Sequence, residues 1–582
     1  MLGRAVLCVL PGLLTGLLQG LVRAQTLGCP STCECFSRDA VRCSGGDVSR
    51  IAALGLPTNL THILLFEMKL GALQKHSFRG MTVLQRLILS ASPISAIAPG
   101  TFDDLVNLKT LRLSGDRLTH LPGGLLDHLV LLEQLFLNRN ELKGIAPKMF
   151  ERVVHLQELF LNQNQLSFLP PDLFASLGKL KRLDLSGNNL TYLPKELFQA
   201  QAELERLELH SNQLVSLDSG LFRHVHALRE LQLHSNHLGY VAPGAFDSLL
   251  RLSLLTLSRN HLKFLPPALF LHTHNLTLLT LFQNPFRKLP TVLFGEMPAL
   301  QELRLNDTNL STLPASIFRN LSGLRELAVT ASPRLSALPA DAFGGLGQLR
   351  ALALHDNCLS ALPDRLLRGL GALRRVWLHR NQLRKLPRGL FRNLSLLEEV
   401  RLHYNQLETL PADVFGDLSQ SAQLLLGHNP WRCDCDLWPF LAWLRQHPGL
   451  VDRTESPRCH SPGQRAGLPL WAVPEGEEGC LGTQHPTSHP PANSSPLYPT
   501  QPALLAAILQ PGSKDLESMA WTQRVRSPQS DHSVFWGVYI LFLATQAIVT
   551  AFIVVAMIKL ARLFRKVIRE RLLFESVGQP CN

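Results

Sequence analysis

The sequence lacks the short motifs that mark common catalytic sites. It has no nucleophile elbow, no HExxH motif, no phosphate-binding loop and no kinase or phosphatase signature. Acidic residues are also in deficit, with 45 Asp and Glu against 57 Lys and Arg and a net charge of +12. No basic motif typical of nucleic-acid binding accompanies that charge. The sequence therefore indicates neither an enzyme nor a nucleic-acid-binding protein, and it predicts no cofactor or catalytic residue.

A unit of about 24 residues repeats through most of the chain. A leucine opens each successive unit from Leu60 to Leu324. The phase of the repeat then slips by one residue at VTASPRLSALP, and the units resume at Leu349. The last unit, which begins at Ser421, is degenerate. The shared frame LxxLxLxxNxLxxLPxxxFxxL is a leucine-rich repeat. One unit cannot bury its own apolar face, so neighbouring units must share a core. We expect a leucine-rich-repeat solenoid, an α/β-type horseshoe of about 16 units over residues 55–430, with short parallel strands on its concave face.

One position of the unit holds asparagine from Asn140 to Asn284 and again from Asn357 to Asn429. Other residues occupy it in the remaining units: Met68, Ser92, Asp116, Thr308 and Ser332. Because an amide both donates and accepts, we expect a ladder of side chains that serves the turns of neighbouring units. A recurring phenylalanine predicts a second feature, a spine on the convex side: Phe78, Phe102, Phe150, Phe174, Phe198, Phe222, Phe246, Phe270, Phe294, Phe318, Phe343, Phe391 and Phe415.

The two long apolar runs lie outside the repeats. Residues 1–24 have an early arginine, an apolar run and a small residue at Ala24, which is the pattern of a signal peptide. Residues 534–558 carry no charge and predict one transmembrane helix. The tail, 559–582, begins with basic residues that indicate a cytoplasmic side: Lys559, Arg562, Arg565, Lys566, Arg569 and Arg571. We expect a single-pass type I protein of the plasma membrane with its N-terminus outside.

Cysteines cluster at both ends of the repeats. Residues 25–54 contain Cys29, Cys33, Cys35 and Cys43, and residues 431–481 contain Cys433, Cys435, Cys459 and Cys480. An open solenoid exposes its core at each end, so these clusters predict disulfide-bonded caps, and an oxidising compartment disfavours the zinc alternative. Cys358 is left over beside the ladder, and we expect a free thiol there, with intermolecular pairing as the alternative. The sequence assigns no role to Cys581.

Glycosylation signals agree with a surface location. Eight N-x-[ST] sequons follow the signal peptide: Asn59, Asn189, Asn275, Asn306, Asn309, Asn320, Asn393 and Asn493. Residues 482–533 are rich in Pro, Ser and Thr, so they predict an extended stalk.

Two groups of side chains on the repeats are candidate sites. Phe136, Phe160 and Trp377 fall between strand leucines and are candidate protein-binding anchors, with packing between neighbouring strands as an equal alternative. Histidines occupy one position in successive units: His210 and His234, then His355, His379 and His403. Strands about 4.8 Å apart would let such rings stack, share a metal or sense pH. The pattern favours ordinary surface histidines, so no metal site is predicted.

The membrane region offers two more candidates. Gln546 lies near the middle of the predicted span, where it could hydrogen-bond to another transmembrane helix or be tolerated alone. In the tail KLARLFRKVIRER the apolar residues recur at helical spacing, which would place the basic residues on the opposite face of a helix. That pattern favours contact with anionic lipid, and calmodulin is the alternative partner.

Four longer stretches, LGLPTNLTHILLF, DLSGNNLTYLPKELF, NPWRCDCDLWPFLAWLRQH and AMIKLARLFRKVIRER, resemble the leucine-rich-repeat subunits of the platelet glycoprotein Ib-IX-V complex. The resemblance implies association with the glycoprotein Ib and IX chains. It also implies von Willebrand factor (through the complex), collagen and thrombin as partners, with a role in haemostasis and cell adhesion. Resemblance to the modules that flank such repeats implies a pairing of the cap cysteines: Cys29–Cys35, Cys33–Cys43, Cys433–Cys459 and Cys435–Cys480.

The stalk departs from that resemblance. A thrombin-cleaved member of the family is cut after a Pro-Arg pair just past the C-terminal cap, whereas CLGTQHPTSHPP contains no Arg or Lys. Arg526 is a weak candidate protease site close to the membrane, before an unfavourable Ser-Pro. We therefore expect weak or absent thrombin cleavage at the usual place.

Two other functions fit the same architecture. The chain could be a stand-alone adhesion receptor that binds matrix through its concave face, which collagen binding without partner chains would favour. It could also be a pattern-recognition or neuronal guidance receptor, which expression outside platelets would favour.

Overall fold

The computed structural model describes Cys29 and residues 33–45, 50–419, 422–451 and 456–474. The predicted signal peptide, stalk, membrane span and basic tail lie outside these residues, and so do the candidates Asn493, Arg526 and Gln546. Among the described residues, no helix has both the length and the apolar character needed to cross a membrane.

One 18-stranded sheet runs through the whole repeat region. Its first two strands belong to the N-terminal cap and pair antiparallel. The other sixteen supply one strand to each repeat unit, and every pairing from the second strand onward is parallel. The strands of the main sheet, in spatial order, are β1 (Cys33–Ser37), β2 (Ala40–Ser44), β3 (His62–Phe66), β5 (Arg86–Ser90), β7 (Thr110–Ser114), β8 (Gln134–Phe136), β9 (Glu158–Phe160), β10 (Arg182–Asp184), β11 (Arg206–Glu208), β13 (Glu230–Gln232), β15 (Leu254–Thr256), β16 (Leu278–Thr280), β17 (Glu302–Arg304), β18 (Glu326–Ala328), β19 (Ala351–Ala353), β20 (Arg375–Trp377), β21 (Glu399–Arg401) and β22 (Gln423–Leu425).

Three short parallel pairs and a few helical segments complete the secondary structure. The pairs are β4 (Ala72–Leu73) with β6 (Ala96–Ile97), β12 (Ser216–Leu217) with β14 (Tyr240–Val241), and β23 (Trp431–Arg432) with β24 (Cys459–Ser461). The helical segments are the α-helix α1 (Trp438–Gln446) and the 3-10 helices Ile51–Leu54, Gly463–Arg465 and Leu470–Ala472.

Strand register follows the repeat length of the sequence. Residues 24 apart face each other across most neighbouring strands, as Leu135 and Leu159 do. Between β18 and β19 the offset becomes 25, with Leu327 opposite Leu352. The single-residue slip at VTASPRLSALP is therefore absorbed outside the strands, and the apolar side chains on both sides of it stay in register.

The core is a continuous column of leucine and phenylalanine. Each three-residue strand of the main sheet buries its middle side chain, which is leucine except for Val376 in β20 and Val400 in β21, and the flanking strand residues are mostly half-exposed. From Phe150 to Phe343 the spine is unbroken, with neighbouring rings 5.8 to 6.4 Å apart. Leu126 and Leu367 replace phenylalanine in the two units where the spine is interrupted, and both are buried. The predicted spine therefore exists as a stack of rings inside the core.

The return segments differ from an α/β-type repeat. In the described residues of the repeats the chain returns through turns, and the α-helix α1 lies beyond them in the C-terminal cap. A unit of 24 residues leaves little chain for the return, and the frequent LP pair restricts it further, because proline disfavours helix at the preceding residue. The α/β part of the predicted fold class was wrong for these segments.

Disulfides close both ends of the solenoid. The N-terminal cap contains Cys29–Cys35 and Cys33–Cys43, and the C-terminal cap contains Cys433–Cys459. These three pairs are the ones that the resemblance implied. Cys435 is also disulfide-bonded, and its expected partner Cys480 lies outside the described residues.

Cys358 corrects one expectation. It is disulfide-bonded rather than a free thiol, and its Sγ lies 3.0 Å from the carbonyl oxygen of Pro333. The repeats contain no second cysteine, so the repeat pattern could not predict a disulfide partner for Cys358.

Candidate functional site: the strand face

Ladder asparagines hold the edge of the strand face together. Asn188 donates from Nδ2 to the carbonyl oxygens of Leu161 and Leu185, both at 3.0 Å. Its Oδ1 accepts from the backbone N–H of Leu166 at 3.1 Å. Each such side chain therefore joins two consecutive units through buried backbone groups that would otherwise lack partners. The strands present their remaining side chains from this fixed frame.

Asp116 replaces the ladder asparagine in one unit and satisfies only part of its role. Its Oδ1 accepts from the N–H of Ser92 at 2.8 Å, but Oδ2 is buried without a hydrogen-bond partner. Burial raises the pKa of Asp116 to about 7, although the hydrogen bond from Ser92 opposes that shift. An ionised carboxylate cannot donate to the carbonyl groups that an asparagine would satisfy, so this unit lacks part of the ladder's bonding.

The residue before each ladder position adopts a left-handed backbone. Fourteen such residues are not glycine, with φ between 50° and 57°, and Gly115 and Gly187 occupy the other two positions. Their N–H groups donate to the next unit, as Gln163 does to the carbonyl oxygen of Ser186 at 2.8 Å. This conformation could not be predicted from the residues, because glycine, its usual marker, is rare at the position.

Phe136 and Phe160 form the centre of a four-membered stack on β8 and β9. Their rings are parallel, with centroids 4.6 Å apart. The guanidinium carbon of Arg112 lies 4.1 Å from the Phe136 centroid, and that of Arg182 lies 4.8 Å from the Phe160 centroid. Each ring is thus covered on one face by the other ring and on the other face by an arginine. For these ring faces, the alternative interpretation of packing between neighbouring strands is the one that the structure shows. The stack presents ring edges and two ordered cations to a partner.

Trp377 on β20 has a similar cationic setting. Arg375 and Arg401 lie with their guanidinium carbons 5.6 and 5.2 Å from the indole centroid. The indole Nε1 donates to Glu399 at 3.2 Å, and Glu399 also accepts from Arg401 at 2.6 Å. The half-buried indole is therefore fixed in one orientation, as a binding anchor should be.

Both predicted histidine groups are stacks. His210 and His234 have ring centroids 4.5 Å apart. His379 lies between the other two histidines, 4.4 Å from His355 and 4.6 Å from His403. His355 also approaches the Trp377 ring at 6.3 Å, so the second stack adjoins the tryptophan cluster.

A row of exposed aromatics is a feature that the sequence interpretation missed. Phe168, Tyr192, Tyr240 and Phe264 each lie four residues after the ladder asparagine of their unit, and each is between 46% and 58% exposed. Ser216 holds the same position in the unit between Tyr192 and Tyr240. The 24-residue spacing of these aromatics was the signal that could have revealed them. Each comes after the main-sheet strand of its unit, so its side chain lies off the strand face.

The described sequons leave the main-sheet strands clear. Asn59, Asn189, Asn275, Asn320 and Asn393 are exposed, and none of them lies in a strand of that sheet. Asn306 and Asn309 are half-buried, and the Oδ1 of Asn306 is enclosed without a hydrogen-bond partner. Glycans at the five exposed positions would leave the strand face open to a protein partner.

Comparison with sequence families identifies the repeat. A profile described as "Leucine rich repeat" matches ten overlapping segments that together cover 58–286 and 322–430, more than half of the chain. A profile described as "Leucine rich repeat C-terminal domain" matches residues 456–481, within the C-terminal cap.

Two curated proteins are similar over part of the chain. Platelet glycoprotein V of Homo sapiens is 64% identical over 144 residues, which is 25% of this chain and 24% of that protein. Platelet glycoprotein V of Mus musculus is 57% identical over 155 residues, 26% of each chain. The alignments therefore span about a quarter of the length of the curated relatives.

Solved structures share the solenoid. A chain of the Drosophila Toll–Spatzle complex superposes with a TM-score of 0.57 at 23% identity, covering 72% of this chain and 62% of that one. A leucine-rich-repeat protein of Leptospira interrogans gives a TM-score of 0.51 at 27% identity, covering 70% of this chain and 99% of that one. The first similarity is one of fold alone.

Proposed function

The chain belongs to the leucine-rich-repeat family, and on that premise we propose that it is a subunit of a platelet adhesion receptor of the glycoprotein Ib-IX-V type. It spans the plasma membrane once, with its repeats outside the cell. It acts in haemostasis by binding proteins: it adheres to collagen, contributes to von Willebrand factor binding through the complex and modulates the response to thrombin. We assign it a binding role and no catalytic one.

The observation that carries this proposal is the stretch of 64% identity to platelet glycoprotein V of Homo sapiens over 144 residues. Identity at that level in a repeat protein exceeds what the repeat frame demands, because the frame fixes only about ten positions per unit. The outward-facing residues must therefore contribute to the match, and those residues determine recognition.

Recognition takes place on the strand face. Its two aromatic clusters, Phe136–Phe160 and Trp377, are each flanked by arginine, and both side-chain types are enriched at energetic centres of interfaces. Each is held by contacts within the free protein, so little side-chain entropy is lost on binding. The ordered guanidinium groups fit a partner that offers carboxylate or sulfate groups at the contact.

Binding of the purified full-length chain to immobilised fibrillar collagen tests this role. Trp377→Ala should weaken binding at least about tenfold, since central aromatic anchors contribute about 2 kcal/mol or more. Phe264→Ala is the matched control, because Phe264 is an exposed aromatic off the strand face. Unchanged binding by Trp377→Ala together with loss in Phe264→Ala would move recognition to the aromatic row and contradict the proposal for the strand face.

The basic tail lies against the inner leaflet. Its six Lys and Arg residues between Lys559 and Arg571 suit anionic lipid. Co-sedimentation of the tail peptide with phosphatidylserine vesicles should be strong at low salt and weak with neutral vesicles. Binding to Ca²⁺-calmodulin in preference to these vesicles would favour the alternative partner.

A further inference from the structure

The geometry points to a binding site for a divalent transition-metal ion, Zn²⁺ or a cation of similar ligand preference, formed by His355, Asp356 and His379. The three residues offer two ring nitrogens and one carboxylate oxygen that all lie within 4.8 Å of one another. Among the described residues this is the one group of metal-ligating side chains with that property. It lies at the C-terminal edge of β19 and β20, beside Trp377.

His379 supplies a ring nitrogen that the protein leaves unused. Its Nδ1 is enclosed and has no hydrogen-bond partner, which is unusual because buried polar atoms are nearly always paired. An imidazole nitrogen with a free lone pair is a common metal ligand, so this enclosed atom is available to a cation.

Asp356 pairs with the first histidine. Its Oδ2 lies 2.6 Å from Nδ1 of His355. A cation that displaces the proton shared by these two atoms would take one ligand from each side chain, since metal ligands bind in their deprotonated form. The other oxygen of Asp356 is 3.6 Å from Nη1 of Arg380, a half-exposed side chain that can turn away into solvent. Arg380 therefore competes with a cation for the same carboxylate.

The other histidine stack provides an internal comparison. His210 and His234 stack at nearly the same separation, but their Nδ1 atoms contact hydroxyl groups, that of Ser211 at 3.2 Å and that of Thr256 at 2.9 Å. That stack has no adjacent carboxylate at hydrogen-bond distance, since Glu208 is 3.9 Å from His210. Stacking alone therefore does not distinguish the proposed site; the unused nitrogen and the carboxylate do.

Ligand type and geometry determine the class of ion. Two imidazoles and a carboxylate suit Zn²⁺, Cu²⁺ or Ni²⁺, whereas Ca²⁺ and Mg²⁺ prefer oxygen ligands. The parallel rings must turn about their Cβ–Cγ bonds before their lone pairs converge, and that torsion is soft. Three protein ligands leave at least one coordination position open.

Titration of Zn²⁺ into the EDTA-treated full-length chain tests the site, with a chromogenic zinc indicator as competitor. We expect one site that is at least about tenfold tighter than the background of the remaining histidines. His379→Gln should abolish it, and Asp356→Asn should weaken it about tenfold. Arg380→Gln should tighten it, because it removes the competing cation. Ca²⁺ should not displace Zn²⁺.

His234→Gln is the matched control and should leave the tight site unchanged. Thermal unfolding in EDTA checks that each variant folds. If His379→Gln does not fold, the change in Zn²⁺ affinity in Arg380→Gln still tests the proposal. The proposal is overturned if no site stands above the background, if His379→Gln binds like the parent, or if Arg380→Gln and Asp356→Asn shift the affinity in the same direction.

Discussion

The side-chain amide of Asn164 donates a hydrogen bond to the carbonyl oxygen of Leu137, one repeat unit earlier, at 3.0 Å. The same Nδ2 reaches the carbonyl oxygen of Leu161 at 2.9 Å, and Oδ1 accepts from the N–H of Leu142 at 3.1 Å. One side chain thus satisfies backbone groups of two units at once. Stability of the solenoid depends on such contacts between neighbours, because each unit touches little else.

Asn164→Ala should therefore destabilise the repeats by about 3 kcal/mol, since each buried partner that loses its bond costs about 1 kcal/mol or more. Chemical denaturation of the purified chain, followed by circular dichroism, measures the change. Gln165→Ala is the matched control, because Gln165 is the exposed next residue. Equal losses in the two variants would contradict the role of the ladder.

Asp116→Asn should stabilise the protein at neutral pH. The folded pKa of Asp116, about 7, lies above the ordinary aspartate pKa of 3.8. Between these values the folded state binds more protons than the unfolded state, so the contribution of Asp116 to stability falls as the pH rises from about 4 to 7. Asparagine does not titrate, and its amide can donate to the carbonyl groups of the turn as its ladder counterparts do.

The difference between Asp116→Asn and the parent should be small near pH 4 and reach on the order of 3 kcal/mol near pH 7. Denaturation midpoints at several pH values provide the measurement. Asp172→Asn, at an exposed position, should show no such trend. A difference that shrinks with rising pH would refute the account of this carboxylate.

Ala331→Gly should stabilise the protein by about 0.5–1 kcal/mol, because Ala331 has φ of 50° and glycine adopts that backbone without strain. Ala328→Gly, the same substitution on strand β18, should destabilise it by a similar amount. Opposite signs in thermal unfolding are the expected result. Destabilisation by both would mean that the left-handed turn carries no strain.

Thrombin should cut the stalk weakly or not at all at the place where the thrombin-cleaved family member is cut. Residues 481–500 contain no Arg or Lys, which thrombin requires before the scissile bond. Thrombin treatment of the intact chain, followed by N-terminal sequencing of the released products, tests this. A fragment that begins between Leu481 and Thr500 would contradict the prediction, and one that begins at Ser527 would assign cleavage to Arg526.

Periodic features of the structure were predictable from the sequence. The ladder, the Phe150–Phe343 spine and the one-residue slip before Leu349 all follow from which residue recurs at which spacing, and each appears in the structure. Side-chain contacts between units were not predictable, because they depend on rotamers. Arg182 could have pointed to solvent, but it covers Phe160.

The left-handed backbone and the Asp356–His355 contact were also beyond the sequence. Side chains of many types occupy the left-handed position, because the hydrogen bonds of the stack, and not the local residue, determine that φ. Asp356 beside His355 is unremarkable in a sequence, and its contact with the ring exists only in the folded turn.

Co-purification from megakaryocytic cells tests the central claim most directly. The full-length chain, extracted in mild detergent, should bring down the glycoprotein Ib and IX chains. Gln546→Leu should reduce their recovery if the amide contacts another transmembrane helix, whereas Thr550→Leu, a second polar position of the same predicted span, should not. Recovery of none of these chains with the parent protein would contradict the assignment as a receptor subunit and favour a stand-alone adhesion receptor.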